Sequence, residues 1–167
     1  KMAVAEQNAA DGLLGKEIEY VSYDNKSEPS ESTSVATRLA TEDNVVAILG
    51  PATTGAANAQ SPAVTRAKVP AILPAATGDG VTMDGDSVLE YVFRVCFQDS
   101  FQGKALAEFA QTDLQATKAV ILVDNSTDYA IGLADAFKET FTGDIVAEEN
   151  FTAGDTDFKA ILTNIAN

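Results

Sequence analysis

Two spacings of apolar residues alternate along the chain. Residues 1–10 read as a helix with Gly12 as its stop. Residues 17–23 (EIEYVSY) are rich in β-branched and aromatic side chains and predict a strand, followed by turn chemistry over 24–29. Val35, Ala36 and Leu39 then mark a helix over 30–40. The continuous apolar run 45–49 predicts a strand covered on both faces, stopped by Gly50 and Pro51. Thr53 or Thr54 is placed to cap a short helix, which Pro62 is expected to break or restart. Residues 70–73 predict a short buried strand, 78–87 a loop and 91–95 a further strand. Phe101, Ala105, Leu106, Phe109 and Ala110 share one helical face. Residues 119–123 form an apolar strand, and Ala130, Leu133, Ala134, Phe137 and Phe141 a helical stripe. Residues 144–151 read as a strand. Phe158, Ile161, Leu162 and Ile165 form the last helical face, with Asp155 as its expected N-cap.

Strand and helix alternate at the spacing of βαβ units, which predicts parallel sheets flanked by helices. The strand at 91–96 is less uniformly apolar than the others, which places a lobe boundary near residue 98. Residues 1–98 then form most of one lobe and 99–167 the first part of a second. Residue 1 follows no capping or signal segment, and the chain stops directly after a helical pattern. Both ends read as cuts through a longer chain.

Composition removes several chemistries. With no histidine, the chain holds neither a Ser-His-Asp triad nor a His-ligated zinc. Lysine and arginine total 11 against 25 aspartates and glutamates, a net charge of −14. That balance argues against nucleic acid and against anionic membrane surfaces. The single cysteine, Cys96, lies in an apolar run and is expected to be a buried, inert thiol. No run of 18 apolar residues occurs. The acids around 79–90 fail the calcium-loop pattern, since Val81 takes the third position and Asp84 the sixth, where glycine is required. No glycine-rich nucleotide fingerprint is present, so no metal and no cofactor is expected.

Ligands in open α/β sheets sit outside the carboxyl ends of the strands. That rule selects loops 50–55, 74–79 and 124–129. The first two are built of small residues, hydroxyls and glycine, without a base. Backbone N–H groups and threonine hydroxyls of this kind can hold a carboxylate. A structural cap explains either loop equally well. Tyr129, opening the helix after the third loop, reads on composition alone as a surface or half-buried core tyrosine.

Several segments resemble the type I periplasmic binding proteins for branched-chain amino acids. These are NAADGLLGKEIEYVSY (8–23), LGPATTG (49–55), VPAILPAAT (69–77), YVFRVCFQD (91–99), DYAIGLA (128–134) and FTAGDTDF (151–158). They occur in order and span nearly the whole chain. The resemblance implies a two-lobed fold that closes by a hinge around an amino acid, with no catalytic residues. Ala52, Thr53 and Thr54 would line the cleft, with the Thr54 hydroxyl on the ligand carboxylate. Most relatives have serine at that position. Ala75 through its backbone, with Ala76 and Thr77, would complete the carboxylate site. Tyr129 would close from the second lobe.

The resemblance further implies that the family's first strand would precede residue 1 and that an acidic partner for the ligand ammonium would lie beyond residue 167. The implied role is an extracytoplasmic receptor of an ABC importer, periplasmic or a cell-surface lipoprotein, delivering to a membrane permease. A ligand-sensing domain of a receptor or regulator shares the fold and is the alternative. An α/β enzyme is a third reading, lowered by the absence of histidine and of a phosphate loop.

Overall fold

A computed structural model describes residues 1–166. The elements follow in the order α1 (Met2–Ala9), α2 (Pro29–Thr41), β1 (Ile48–Leu49), α3 (Thr54–Ala67), β2 (Ala71–Leu73), a 3-10 turn (Asp79–Thr82), β3 (Met83–Asp84), β4 (Ser87–Val88), β5 (Val92–Arg94), α4 (Asp99–Thr112), β6 (Lys118–Asp124), α5 (Asp128–Thr140), β7 (Asp144–Phe151) and α6 (Lys159–Ala166). The first sheet has the order β1-β2-β5, all parallel, and a second parallel pair joins β6 to β7. This is the α/β alternation read from the sequence.

The first sheet and its helices share one core. Ala36 of α2, Ala57 and Val64 of α3, Ala71 and Leu73 of β2, and Val92 of β5 are all at most 3% exposed. Small residues on α2 and α3 let the two helices lie close over the sheet. The second unit is held differently. The stripe Asp99, Gly103 and Ala107 of α4 is buried against α5. A Cβ on Gly103 would come 2.5 Å from the Ala136 Cβ and 2.7 Å from the Phe137 nitrogen. Glycine is therefore what allows this helix contact.

Several elements differ from the expectation. Residues 17–23 carry no ladder hydrogen bonds, because among the described residues no strand lies beside them. The Asn8 side chain brackets Ile18 instead, donating to its carbonyl and accepting its N–H, each at 2.9 Å. The run 45–49 is not covered on both faces. Only Ile48–Leu49 pairs, at a sheet edge, and Val46 and Leu49 are exposed.

Pro62 neither breaks nor restarts α3, which continues to Ala67. Pro62 leaves out one N–H of the helix ladder, and the Ser61 hydroxyl donates to the Ala57 carbonyl in the same turn. The expected loop 78–87 holds the 3-10 turn and the antiparallel β3-β4 hairpin. Asp155 does not cap α6: it accepts the Thr152 N–H, while Asp157 accepts the Lys159 N–H at the helix start. The expected face of α4 is largely outward, with Phe101, Leu106 and Phe109 exposed, because the close contact with α5 favours the small side chains. Cys96 is half-buried rather than buried, its thiol 3.6 Å from the Ala76 carbonyl oxygen.

Candidate functional site

The carboxyl ends of β1 and β2 carry loops 50–55 and 74–79 side by side, because the two strands are direct neighbours. The Gly50 N–H donates to the Ile72 carbonyl, and the Gly50 carbonyl accepts from the buried Gln60 side chain at 2.8 Å. Loop 50–55 is thereby fastened at its base. Ala52 and Thr53 are exposed, whereas Thr54 is buried. Thr53 is the N-cap residue of α3 by backbone position, yet neither threonine makes a side-chain capping bond there. The Thr54 hydroxyl reaches the second loop and accepts the Gly78 N–H at 3.1 Å.

In loop 74–79, Ala75 is exposed and Ala76, Thr77 and Gly78 are buried. Their backbone is braced from behind. Arg94 Nη1 donates to the Thr77 carbonyl at 3.2 Å and to the Gly78 carbonyl at 2.7 Å. The Thr77 carbonyl also accepts the Asp99 N–H at 2.9 Å. Asp79 closes the loop onto α4, accepting from both the N–H and the hydroxyl of Ser100.

Asp99 is fully buried, and neither carboxylate oxygen completes a hydrogen bond. Burial pushes its carboxyl above the ordinary carboxylate range. The nearby Thr77 hydroxyl opposes that shift, the Asp79 charge adds to it and Arg94 opposes it. Gly132 of α5 faces this carboxylate: a Cβ there would lie 3.4 Å from Asp99 Oδ2.

The third loop carries Thr127, whose hydroxyl accepts the Ala130 N–H at 3.3 Å and so caps α5. Tyr129 in the first turn is half exposed, and its hydroxyl accepts from Gln102 Nε2 at 3.3 Å. Its neighbour Asp128 reaches α3, accepting from Asn58 Nδ2 at 3.1 Å. The structure thus joins Thr54 with the Thr77–Gly78 backbone and ties the α5 start, with Tyr129, to α3.

Such an arrangement can hold a carboxylate by hydroxyls and backbone N–H groups. Among the described residues no group of three or more acidic or cysteine side chains is placed to hold a metal. A groove of about 480 Å³ along α3, lined by Ser61, Arg66, Met83 and Leu89, takes in none of the three loops. Sequence reasoning missed Arg94, Asp99, Gln102, Asn58 and Asp128. The phrase containing Arg94 and Asp99, residues 91–99, stood out only as part of the family resemblance. The others make contacts across 27 and 70 positions that no local pattern encodes.

The chain is similar to known proteins along its whole length. The family described as "Periplasmic binding protein" matches residues 1–167. The branched-chain amino acid transporter substrate-binding protein LivJ of Streptococcus pneumoniae, solved with isoleucine, is 49% identical with a TM-score of 0.91, covering 99% of this chain and 47% of that one. The leucine-binding protein LivK of Thermotoga maritima is 34% identical with a TM-score of 0.88, covering 98% and 46%. An amino acid binding protein of Pseudomonas aeruginosa is 33% identical over 166 residues, which are 98% of this chain and 43% of that protein. The chain spans about half the length of the relatives it matches. In fold and in sequence, this chain belongs to the type I periplasmic binding protein family.

Proposed function

We propose that these residues belong to the extracytoplasmic substrate-binding component of an ABC importer, which captures a branched-chain or related amino acid between two lobes. Residues 1–98 supply one wall of the cleft and 99–167 the start of the other. The observation that carries this reading is the bond from the Gly78 N–H to the Thr54 hydroxyl, which couples two hydroxyl-bearing loops at adjacent strand ends. Ala52, Thr53 and Thr54 line the first loop. Ala75, Ala76 and Thr77 form the second, and Tyr129 closes from the other side.

Capture needs no bond chemistry, only closure and release. The partners are the amino acid and a membrane permease. The location is the periplasm or, for a lipid-anchored form, the outer cell surface. Thermal-shift titration of a polypeptide of the relatives' full length that contains these residues tests the reading. Stabilisation by leucine, isoleucine or valine, lost in Thr77→Ala, is the expected result. A flat response to every amino acid overturns it.

A further inference from the structure

We infer that Asn58 and Asp128 form a latch that holds the two ligand-bearing helix starts together without touching the ligand. This inference rests on the capture function proposed above. Asn58 lies one turn after Thr54, on the same face of α3. Asp128 immediately precedes Tyr129 in the first turn of α5. Asn58 Nδ2 donates to Asp128 Oδ2 at 3.1 Å, across 70 positions of sequence. The same carboxylate oxygen would lie 3.8 Å from a Cβ on Gly55, so it stands over the first turn of α3.

The rest of α5 is committed to α4. Tyr129 accepts from Gln102, and Gly103 packs on Ala136 and Phe137. The α4-α5 pair therefore moves as one body, and Asn58 to Asp128 is a hydrogen bond between that body and the first sheet's helix. An amide donating to a carboxylate is stronger than a neutral pair. Both residues are solvent-exposed, so the bond is cheap to break when the halves part. A contact with these properties biases the closed arrangement and slows ligand escape.

The test uses the polypeptide of the relatives' full length, with L-leucine and L-isoleucine as probes. Asn58→Ala and Asp128→Ala are each expected to raise Kd about threefold to fivefold, through faster release at unchanged association. The double variant should be no weaker than either single one. Asp128→Asn keeps an acceptor oxygen but loses the charge, and should fall between wild type and the alanine variants. A merely local structural role would instead lower the ligand-free melting temperature in proportion. As a second measurement, the pair Asn58→Cys and Asp128→Cys, in a Cys96→Ser background, should form a disulfide faster with leucine present. If wild type binds leucine but the variants are unchanged, strictly additive, or cross-link at a ligand-independent rate, the latch is wrong and capture stands. If wild type binds neither probe, capture and latch fall together.

Discussion

The Thr54 methyl and Gly78 occupy matched space: a Cβ on residue 78 would come 2.4 Å from Thr54 Cγ2, and the Gly78 N–H donates to the Thr54 hydroxyl. The extra methyl that threonine brings to this position is accommodated by a glycine across the loop. Gly78→Ala is therefore expected to destabilise the protein by about 1–3 kcal/mol, as overpacking does. Thr54→Ser in the same chain removes the methyl, keeps the acceptor and should recover part of that loss. Chemical denaturation of the two single variants and the double variant measures the coupling. Equal losses with and without the methyl would show that the clash is relieved elsewhere.

Gly103→Ala reverses the usual helix trend. At an exposed helical site alanine exceeds glycine by about 1 kcal/mol. Here the new methyl meets the Ala136 side chain and the Phe137 backbone, neither of which can rotate away. We expect a net loss of about 2 kcal/mol or more, seen as a lower melting temperature. On the proposed function, in which Tyr129 of α5 closes over the ligand, amino-acid affinity should fall as well.

Asp99 makes stability depend on pH in an identifiable direction. Its folded-state pKa is raised above 3.8, chiefly by burial, so the protonated form favours the fold. The contribution is greatest below the ordinary carboxylate range and is lost as pH rises through that range toward the raised value. Asp99→Asn cannot ionise. It should raise the melting temperature at neutral pH, with the advantage vanishing well below pH 3.8. A gain independent of pH would mean that the carboxylate is charged at no cost.

Arg94 braces the loop that carries Thr77 through two carbonyls. Arg94→Ala should weaken amino-acid binding and lower stability together, by about 1.5–3 kcal/mol for bonds to a charged donor. Both bonds leave one nitrogen, Nη1, so Arg94→Lys, whose ammonium also has several donors but sits on a different stem, should recover part of both losses. Calorimetric titration beside thermal melts checks the pairing of the two effects.

The strand-end rule found loops 50–55 and 74–79 because short apolar runs bounded by proline are conspicuous in sequence. Adjacent strands then put Thr54 beside Gly78. Tyr129 was legible by the same rule, but its partner Gln102 was not. Residues 17–23 looked like a strand because composition reports a preference, whereas a ladder needs a neighbour. The buried stripe of α4 was hidden for a related reason. Phe101, Leu106 and Phe109 dominate any hydrophobic pattern, yet close contact with α5 selects Gly103 and Ala107. Asp99 reads in sequence as an ordinary helix-start acid, and only its burial sets it apart.

Arg94 directs Nη1 at the Thr77 and Gly78 carbonyls, so in the proposed site the groups that would meet a carboxylate directly are hydroxyls and backbone N–H groups, with the Arg94 charge behind them. The 167 residues also carry a net charge of −14. An amino-acid zwitterion has no net charge to be repelled, and its affinity should change little as ionic strength rises. A simple carboxylate lacking the ammonium carries a net negative charge, which the acidity of these residues disfavours and added salt screens. The salt dependence of binding therefore separates these two kinds of cargo without altering a residue.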